Sequence, residues 1–580
     1  MDVRWVLQTP DPREVERLAL MAGTDSLVAT CLWNRGIRTE AEARGFLEVR
    51  RDQLVDPERL PGVREAAEKL IHAIRGKRPI VLYSDYDVDG VCGASVLWSV
   101  LRLAGCKNIH IYIPHRVDEG YGLNGSALRM IAERHPGALV VTIDCGITAV
   151  AEALEAHALG LELVVTDHHR LGESLPAAAV LVHPRLPDSE YPFPDLCGAG
   201  VAFKLAWQVG RYFGDGKRTS PALRDFLVRA FDLLALATVA DVVPLRSENR
   251  IFVRHGLRGL TDTAGGPGLA ALLRVAGCGE GRKISSQTVA YQLAPRINAA
   301  GRMDRAMLAF ELLTTESPIR AAELAGELEQ HNLRRQEVER EIVEEAREEA
   351  LRAGEPRDRA SIVVGRAGWH AGVIGIVAAR LVDEYQRPSI VLTMGDELAH
   401  GSGRSVPGLN LHEAIQECAP SLIRFGGHAA AAGLKLRLEK LRAFRDQFET
   451  ACRARMATQP KSRALLIDAQ VPLSLLSMRV VGGLEELEPY GEGNPRPQLL
   501  CEDVRIAAEP RRFGADQNHL RLTLEQGGVC LRGTAWRKAE SWGGLRAGQR
   551  LDIVFEPRID RYNGRTEVVL NLIDQRLHDS

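Results

Sequence analysis

Between Arg78 and Val182 the sequence repeats one pattern that few folds can accommodate: a short β-branched run, an acidic residue, then a helical stretch. The runs are PIVLY, IHIYIP at Ile109–Pro114, ALVVTIDCG at Ala138–Gly146 and LELVVTDHH at Leu161–His169, with helices predicted over Cys92–Ala104 and Ala149–Leu159. Strands without interspersed polar residues are buried on both faces, so the pattern predicts a parallel sheet covered by helices. The chemically distinctive residues lie where the runs end. The first ends in Asp85, Asp87 and Asp89, with Gly90 allowing a tight turn; the others end in Asp144 and in Asp167, His168 and His169. Open parallel sheets place their ligand crevice at the carboxyl ends of the strands. Three strands therefore bring five carboxylates and two imidazoles to one edge.

Such a crowd of carboxylates repels itself unless cations share it. Carboxylate with imidazole and no thiolate suits Mn²⁺ or Mg²⁺ better than structural zinc. One strand-ending Asp is more often a helix cap, and one His-His pair is more often structural. The metal reading rests on all of them falling on consecutive β–α units. Two ions about 3.5–4 Å apart can polarise a phosphoryl oxygen and activate water. Metal-dependent phosphoester or phosphoanhydride hydrolysis is the expected reaction class.

The 580 residues are too many for one core, and three or four domains are expected. Residues 1–75 read as an N-terminal helical segment packing on the metal domain, which spans 76–318. Ile319–Ala353 carries apolar positions every four residues between opposite-charge pairs, which predicts one long connecting helix. Strand–turn–helix rhythm resumes over 354–460, with Gly-rich turns at Gly401–Asn410 and Phe425–Leu434 and a helix at Leu411–Ala419. Short alternating runs in 461–580 predict a small antiparallel barrel. The net charge of −2 excludes a polycation but not a local basic groove. Ten scattered cysteines without a CxxC pair, and an N-terminus without an apolar stretch, predict a soluble cytoplasmic protein.

DYDVDG, Asp144 and the Asp167-His168-His169 triplet resemble the DHH phosphoesterase superfamily, and ALATVADVVPL with Asp241 is similar to its fourth motif. GWHAGVIGIVAARL, GSGRS and GGHAAAAG resemble the associated DHHA1 domain, and PYGEGNPRPQL the entry to an oligonucleotide-binding (OB-fold) barrel. Motif order and PRINAAGRMD are most similar to the superfamily's bacterial single-strand-specific 5′→3′ DNA exonucleases. The resemblance implies an α/β fold: a parallel-sheet DHH domain, a long helix, a smaller α/β DHHA1 domain and an OB-fold barrel. It implies Asp85, Asp87, Asp144, His168 and Asp241 as ligands of two ions, Mn²⁺ or Mg²⁺, with His169 a ligand or a partner of the attacked phosphate. Tyr83-Ser84 stand where relatives commonly carry His-Gly or Gly-Gly, so no upstream imidazole is offered.

The implied substrate is single-stranded DNA, cut to 5′-mononucleotides in repair and recombination by a monomer, with a single-strand-binding protein and a helicase as companions. Residues expected to hold the strand are Arg116; Arg296, Asn298 and Arg302, in a turn before a helix; Ser402, Arg404 and Ser405; and His370, Gly427 and His428. In the barrel, Arg511, Arg512, Phe513, His519, Trp536, Arg537, Arg561 and Tyr562 interleave cations with aromatics, as a single-strand groove requires. Two rival readings are a phosphodiesterase of short oligonucleotides or cyclic dinucleotides, which needs no barrel, and a non-catalytic DNA-binding relative, which would have lost ligands.

Overall fold

The computed structural model describes residues 3–116, 118–214, 219–262, 265–279, 281–457, 463–562 and 565–578. Among them, those of 56–241 and 256–460 form one compact unit, and those of 1–55, 242–255 and 461–580 another.

In the larger unit the apolar runs become five parallel strands in the order Ile109–Tyr112, Ile80–Ser84, Leu139–Ile143, Glu162–Thr166, Val180–Val182. The two inner strands that carry Asp85 and Asp144 are buried along their whole length, as a doubly covered sheet requires. Tyr83, Val140 and Val165 bury one face beneath the helices Gly125–Arg134 and Val150–Ala158. Val88–Leu103 and Gly198–Tyr212 pack together on the other face. The expected connecting helix is Pro318–Arg352, whose 35 residues span about 52 Å. It buries Leu324, Leu328, Ile342, Ala346 and Ala350 along one stripe. Beyond it lies a five-stranded sheet in the order Arg424–Gly427, Ala431–Arg437, Leu398–Arg404, Ser389–Met394, Ile362–Ala367.

The smaller unit holds the barrel. Leu499–Phe513, His519–Gln526, Val529–Ala535, Arg565–Leu577 and Arg550–Tyr562 pair in that order, and the last closes on the first. One pairing, between Val529–Ala535 and Arg565–Leu577, is parallel, so the predicted all-antiparallel barrel is corrected at that seam.

Three expectations about local structure change. Residues 3–55 belong to the barrel's unit: Val15, Leu18, Val28 and Leu32 share a core with Val481, Leu484 and Phe555, and Val3–Leu7 pairs with Arg463–Ile467. Of the N-terminal segment, only residues from Asp56 onward, including the helix Val63–Arg75, belong to the larger unit. PRINAAGR is not a turn but part of the helix Ala294–Met303, entered through a π-helical turn at Val289–Leu293. GSGR is not a turn either; it is the end of the strand Leu398–Arg404, and the helix after it is shorter than expected, Leu411–Gln416. All ten cysteines are free thiols, and nine are buried, Cys530 excepted. No helix among the described residues is long and apolar enough to cross a membrane.

Candidate active site

Ser84, Ile143, Thr166 and Val182 are in-register neighbours across the parallel sheet. The ladder runs one residue further, with Asp85, Asp144 and Asp167 donating their N–H groups to the carbonyls of Ile143, Thr166 and Val182. Three acidic residues thus leave the sheet side by side. Asp144 then turns at φ +63°, a left-handed backbone that Asp tolerates better than most residues. Gly90 lies inside the helix Val88–Leu103, and its role is close approach: a Cβ there would meet the Asp85 carbonyl oxygen at 2.5 Å.

Possible ligand atoms fall into three groups, each within 4.8 Å: Asp85–Asp87–Asp144, Asp144–His168–His169 and Asp89–His168–Asp241. Asp144 and His168 each belong to two. Asp85 Oδ1, Asp144 Oδ1, His168 Nε2 and Asp241 Oδ2 are buried with no hydrogen-bond partner. A buried polar atom left unsatisfied costs about 1–3 kcal/mol, and four such atoms drawn from these groups could serve a cation as ligands. The electrostatics agree. Burial first, then the neighbouring carboxylates, pushes Asp85 and Asp144 far above the carboxylate range and Asp241 to about 9. Burial and mutual repulsion disfavour the ionised forms, and a divalent ion would favour them. Burial lowers the His168 pKa and favours the neutral imidazole that a metal takes.

The remaining acidic residues divide the supporting work. Asp167 accepts the N–H groups of His168 and His169, His169 Nδ1 at 2.7 Å and the Ile147 N–H. Burial would raise its pKa, but these bonds outweigh that and hold it at about 2. Burial likewise disfavours the His169 imidazolium, yet Asp167 and the surrounding carboxylates raise its pKa to about 9. Both Asp89 oxygens accept helix-start N–H groups, from Gly198 at 2.6 Å and Ala199 at 2.8 Å, so Asp89 fixes the helix Gly198–Tyr212 at the site. Asp87 caps its own helix through the N–H groups of Asp89 and Gly90. Two participants had no sequence signal strong enough to single them out. The Tyr121 hydroxyl lies 3.2 Å from His169 Nδ1 and 3.4 Å from the Asp144 carbonyl oxygen, and Gly198 packs directly on Asp144.

A second cluster is cationic. Arg302 is pushed down to about 9 by burial and then by Arg116, Arg404 and Arg335, and Arg404 is lowered by burial and Arg116. Arg116 lies over the Tyr86 ring and also acts on Asp85 and Asp87, so the two clusters adjoin. Arg302 and Arg404 bond the carbonyls of Gly372 and Gly403, and Arg404 also donates to Ser402 Oγ. Three guanidinium groups with no ion-paired carboxylate among the described residues suit an anion.

The other expected contacts have partners of their own. Arg296 is engaged by the connecting helix: Glu329 binds it through two nitrogens, at 2.5 and 3.1 Å, and the Gln292 carbonyl takes a third bond. Asn298 accepts the Val88 N–H and ties its helix to the first motif. Ser405 donates to the Leu409 carbonyl, and His370 Nδ1 accepts the Gly372 N–H; both serve local backbone. Gly427, at φ +140°, has the Ala431 carbonyl oxygen where a Cβ would stand. It shapes the hairpin that presents His428, whose pKa is lowered by burial and then by His169 and Arg170. In the barrel, Phe513, His519 and Trp536 form one ring cluster with centroids 4.8–5.5 Å apart, and Arg521 lies over Phe513. Of the Tyr562 side chain nothing is described.

Comparison with known proteins matches this geometry. Residues 79–238 match the DHH family N-terminal domain, 359–454 the DHHA1 domain and 467–574 the RecJ OB domain. The single-stranded-DNA-specific exonuclease RecJ of Bacillus subtilis is 37% identical over 99% of this chain and 70% of its own length. The crystal structure of RecJ from Thermus thermophilus in complex with Mn²⁺ superposes with a TM-score of 0.83 at 30% identity, covering 100% of this chain and 80% of that one. The Mg²⁺ complex of the same protein gives 0.77 at 29% identity, covering 100% and 79%. With relatives this similar over nearly its whole length, the chain belongs to the RecJ family of DHH phosphoesterases.

Proposed function

We propose that this chain is a single-strand-specific DNA exonuclease that works 5′→3′ and releases 5′-mononucleotides, with two divalent ions held by Asp85, Asp87, Asp144, His168 and Asp241. The observation that carries this reading is Arg116, which acts on the carboxylate cluster and on the arginine cluster at once. An anion held by Arg116, Arg302, Arg404 and Ser402 would stand beside the hydrolytic centre. A terminal phosphate anchored there fixes the distance from strand end to scissile bond, which is what makes a nuclease an exonuclease.

When bound, the ions supply polarisation of a phosphoryl oxygen and a lower pKa for the attacking water. The chain's own residues do the rest. Asp144, which belongs to two of the ligand groups, would lend its carboxylate charge to the metal cluster, and His168 would lend one neutral imidazole nitrogen. Asp167 holds the His169 ring, which would partner the phosphate being attacked. The barrel's aromatic cluster offers a stacking surface for unpaired bases.

The rival phosphodiesterase of dinucleotides leaves the barrel without a purpose, and the non-catalytic reading leaves the orphaned ligand atoms unexplained. The test uses long single strands labelled at either end, duplexes, short oligonucleotides and cyclic dinucleotides, each with Mn²⁺ or EDTA. Labelled mononucleotide released first from the 5′ end of long single strands, and abolished by EDTA, is the expected result. Preference for cyclic dinucleotides, or release from the 3′ end, would refute the proposal.

A further inference from the structure

The chain leaving the edge strand Ile109–Tyr112 reaches the helix Gly125–Arg134 through a segment that carries Arg116 and Tyr121. Both serve the active site. Arg116 acts on Asp85 and Asp87, and the Tyr121 hydroxyl meets His169 Nδ1 at 3.2 Å and the Asp144 carbonyl oxygen at 3.4 Å. The segment turns on Gly120 and Gly122, at φ +82° and +86°, and a Cβ at either would stand in open space. These glycines set the backbone direction and are not needed for close packing. Glycine on both sides of Tyr121 also leaves the segment wide freedom, so something else has to hold it.

Glu119 does. Its Oε1 accepts the His115 N–H at 2.6 Å, and its Oε2 accepts the Tyr112 hydroxyl at 2.6 Å and Asn124 Nδ2 at 3.2 Å. One carboxylate thus joins the strand end, the residue before Arg116 and the cap of the next helix, where Asn124 Oδ1 accepts the Ala127 N–H at 2.8 Å. The sheet anchors this network. Tyr112 and Tyr83 are in-register neighbours, with stacked ring centroids 5.3 Å apart. The Tyr83 hydroxyl donates to the Gly122 carbonyl at 2.9 Å and accepts from Asn124 Nδ2 at 3.1 Å. Arg116 and Tyr121 are therefore strung between fixed points.

We infer that Glu119 is a positioning residue: its carboxylate, by binding Tyr112, His115 and Asn124 together, holds Arg116 where the terminal phosphate is to be bound. An arginine held in place before the strand arrives avoids the cost of ordering it on binding. A carboxylate suits the task because it only accepts, and three donors converge on it. In Glu119→Gln the amide accepts on one side only, so at least one donor is left facing another donor. The inference rests on Arg116 as a contact of the terminal phosphate, proposed above.

The test measures kcat/KM of the full chain with Mn²⁺ on long single strands that carry a 5′-phosphate or a 5′-hydroxyl. It compares Glu119→Gln, Arg116→Gln, the double variant and Tyr112→Phe. The ratio between the two strands reads the phosphate contact and cancels any loss of folded protein. Arg116→Gln should lower that ratio about tenfold to a hundredfold, the worth of a hydrogen bond to a charged group. Glu119→Gln should lower it about tenfold, as a partial misplacement does. The double variant should fall no further than Arg116→Gln alone, because one residue acts through the other. Tyr112→Phe removes one of the three donors and should show a smaller loss, which reads the clamp even where Glu119→Gln folds poorly. An unchanged ratio in Glu119→Gln and Tyr112→Phe beside a lowered one in Arg116→Gln overturns the positioning role, as do losses that multiply in the double variant. An unchanged ratio in Arg116→Gln itself means that the phosphate contact is wrong, and the clamp then has nothing to act on.

Discussion

Replacing Gly198 with alanine would put a methyl carbon 2.5 Å from Asp144 Oδ1, 2.6 Å from its Cβ and 2.7 Å from its Cγ. Rotating the carboxylate away relieves the first contact but not the second, because Asp144 Cβ is fixed by a backbone already turned to φ +63°. Carbon atoms at rest stand about 3.5–4.0 Å apart, so roughly 1 Å of movement has to be found. It cannot come from the helix start alone, since the Gly198 and Ala199 N–H groups are held by Asp89 at 2.6 and 2.8 Å. The strain divides between stability and geometry. Forcing an extra methyl into a packed site costs about 1–3 kcal/mol. A displacement of about 1 Å in a catalytic arrangement costs about a hundredfold in rate.

The expected outcome for Gly198→Ala is a folded protein, slightly less stable, whose single-turnover cleavage falls about a hundredfold while its affinity for a long single strand holds. The strand contacts proposed above are made by other residues, which is why rate and binding should separate. The assay measures both quantities, with circular dichroism, on one preparation over a range of Mn²⁺. A rate within twofold of the parent would show that Asp144 can shift freely without consequence, and with it would fall the argument that its position is critical.

Asp144→Asn keeps the shape but removes the charge shared by two ligand groups, and should slow single-turnover hydrolysis at least about a thousandfold with strand affinity retained. Arg404→Gln should raise KM for 5′-phosphorylated strands about tenfold to a hundredfold, the worth of a hydrogen bond to a charged group, and leave 5′-hydroxyl strands nearly unaffected. Trp536→Ala should weaken long-strand binding by about 1–3 kcal/mol, the value of one stacked base, measured by fluorescence anisotropy. Burial holds the Asp232 carboxyl up at about 7 from an ordinary 3.8; as pH rises through that window the unfolded chain gives up its proton while the folded one keeps it, so stability falls and stays low above it. Asp232→Asn removes this loss, and its advantage in denaturant melts should grow between pH 4 and 7 to a few kcal/mol at most.

How much of this could be read from sequence depended on whether a residue's role was local. The strand ends were legible because burial on both faces forces an unbroken apolar run, and the first polar residue after it marks the edge. Asp85, Asp144 and Asp167 were therefore placed correctly relative to the sheet. Asp89 was not assigned, because its partners Gly198 and Ala199 lie more than a hundred residues along the chain. The N-terminal segment was legible as helical, but what it would pack on was not. Its partners, Val481 and Leu484, belong to the other end of the chain, and periodicity carries no information about that.

The arginines show the limit more sharply. Once Ala294–Met303 is known to be a helix, Asn298 and Arg302, four apart, share a face, whereas Arg296 stands about 120° from Arg302. That angle gives one to the anion cluster and the other to Glu329. Reading the same residues as a turn removes the angle and makes all three look alike. In GSGR the glycines invited the same misreading. As a strand, Gly401 and Gly403 fall on one face, where a Cβ would crowd Leu392, Leu434 and Leu411, and Ser402 and Arg404 fall on the other. On that second face Gly375, at the start of the helix Ile374–Tyr385, leaves room for them: a Cβ there would be 2.8 Å from Ser402 Oγ and 3.2 Å from Arg404 Nη2. The glycines around this arginine are explained by packing, two letting the strand sit against leucines and one letting a helix start approach the hydroxyl and guanidinium. The proposed anion site is thus specified by the residues that stay small as much as by those that carry charge.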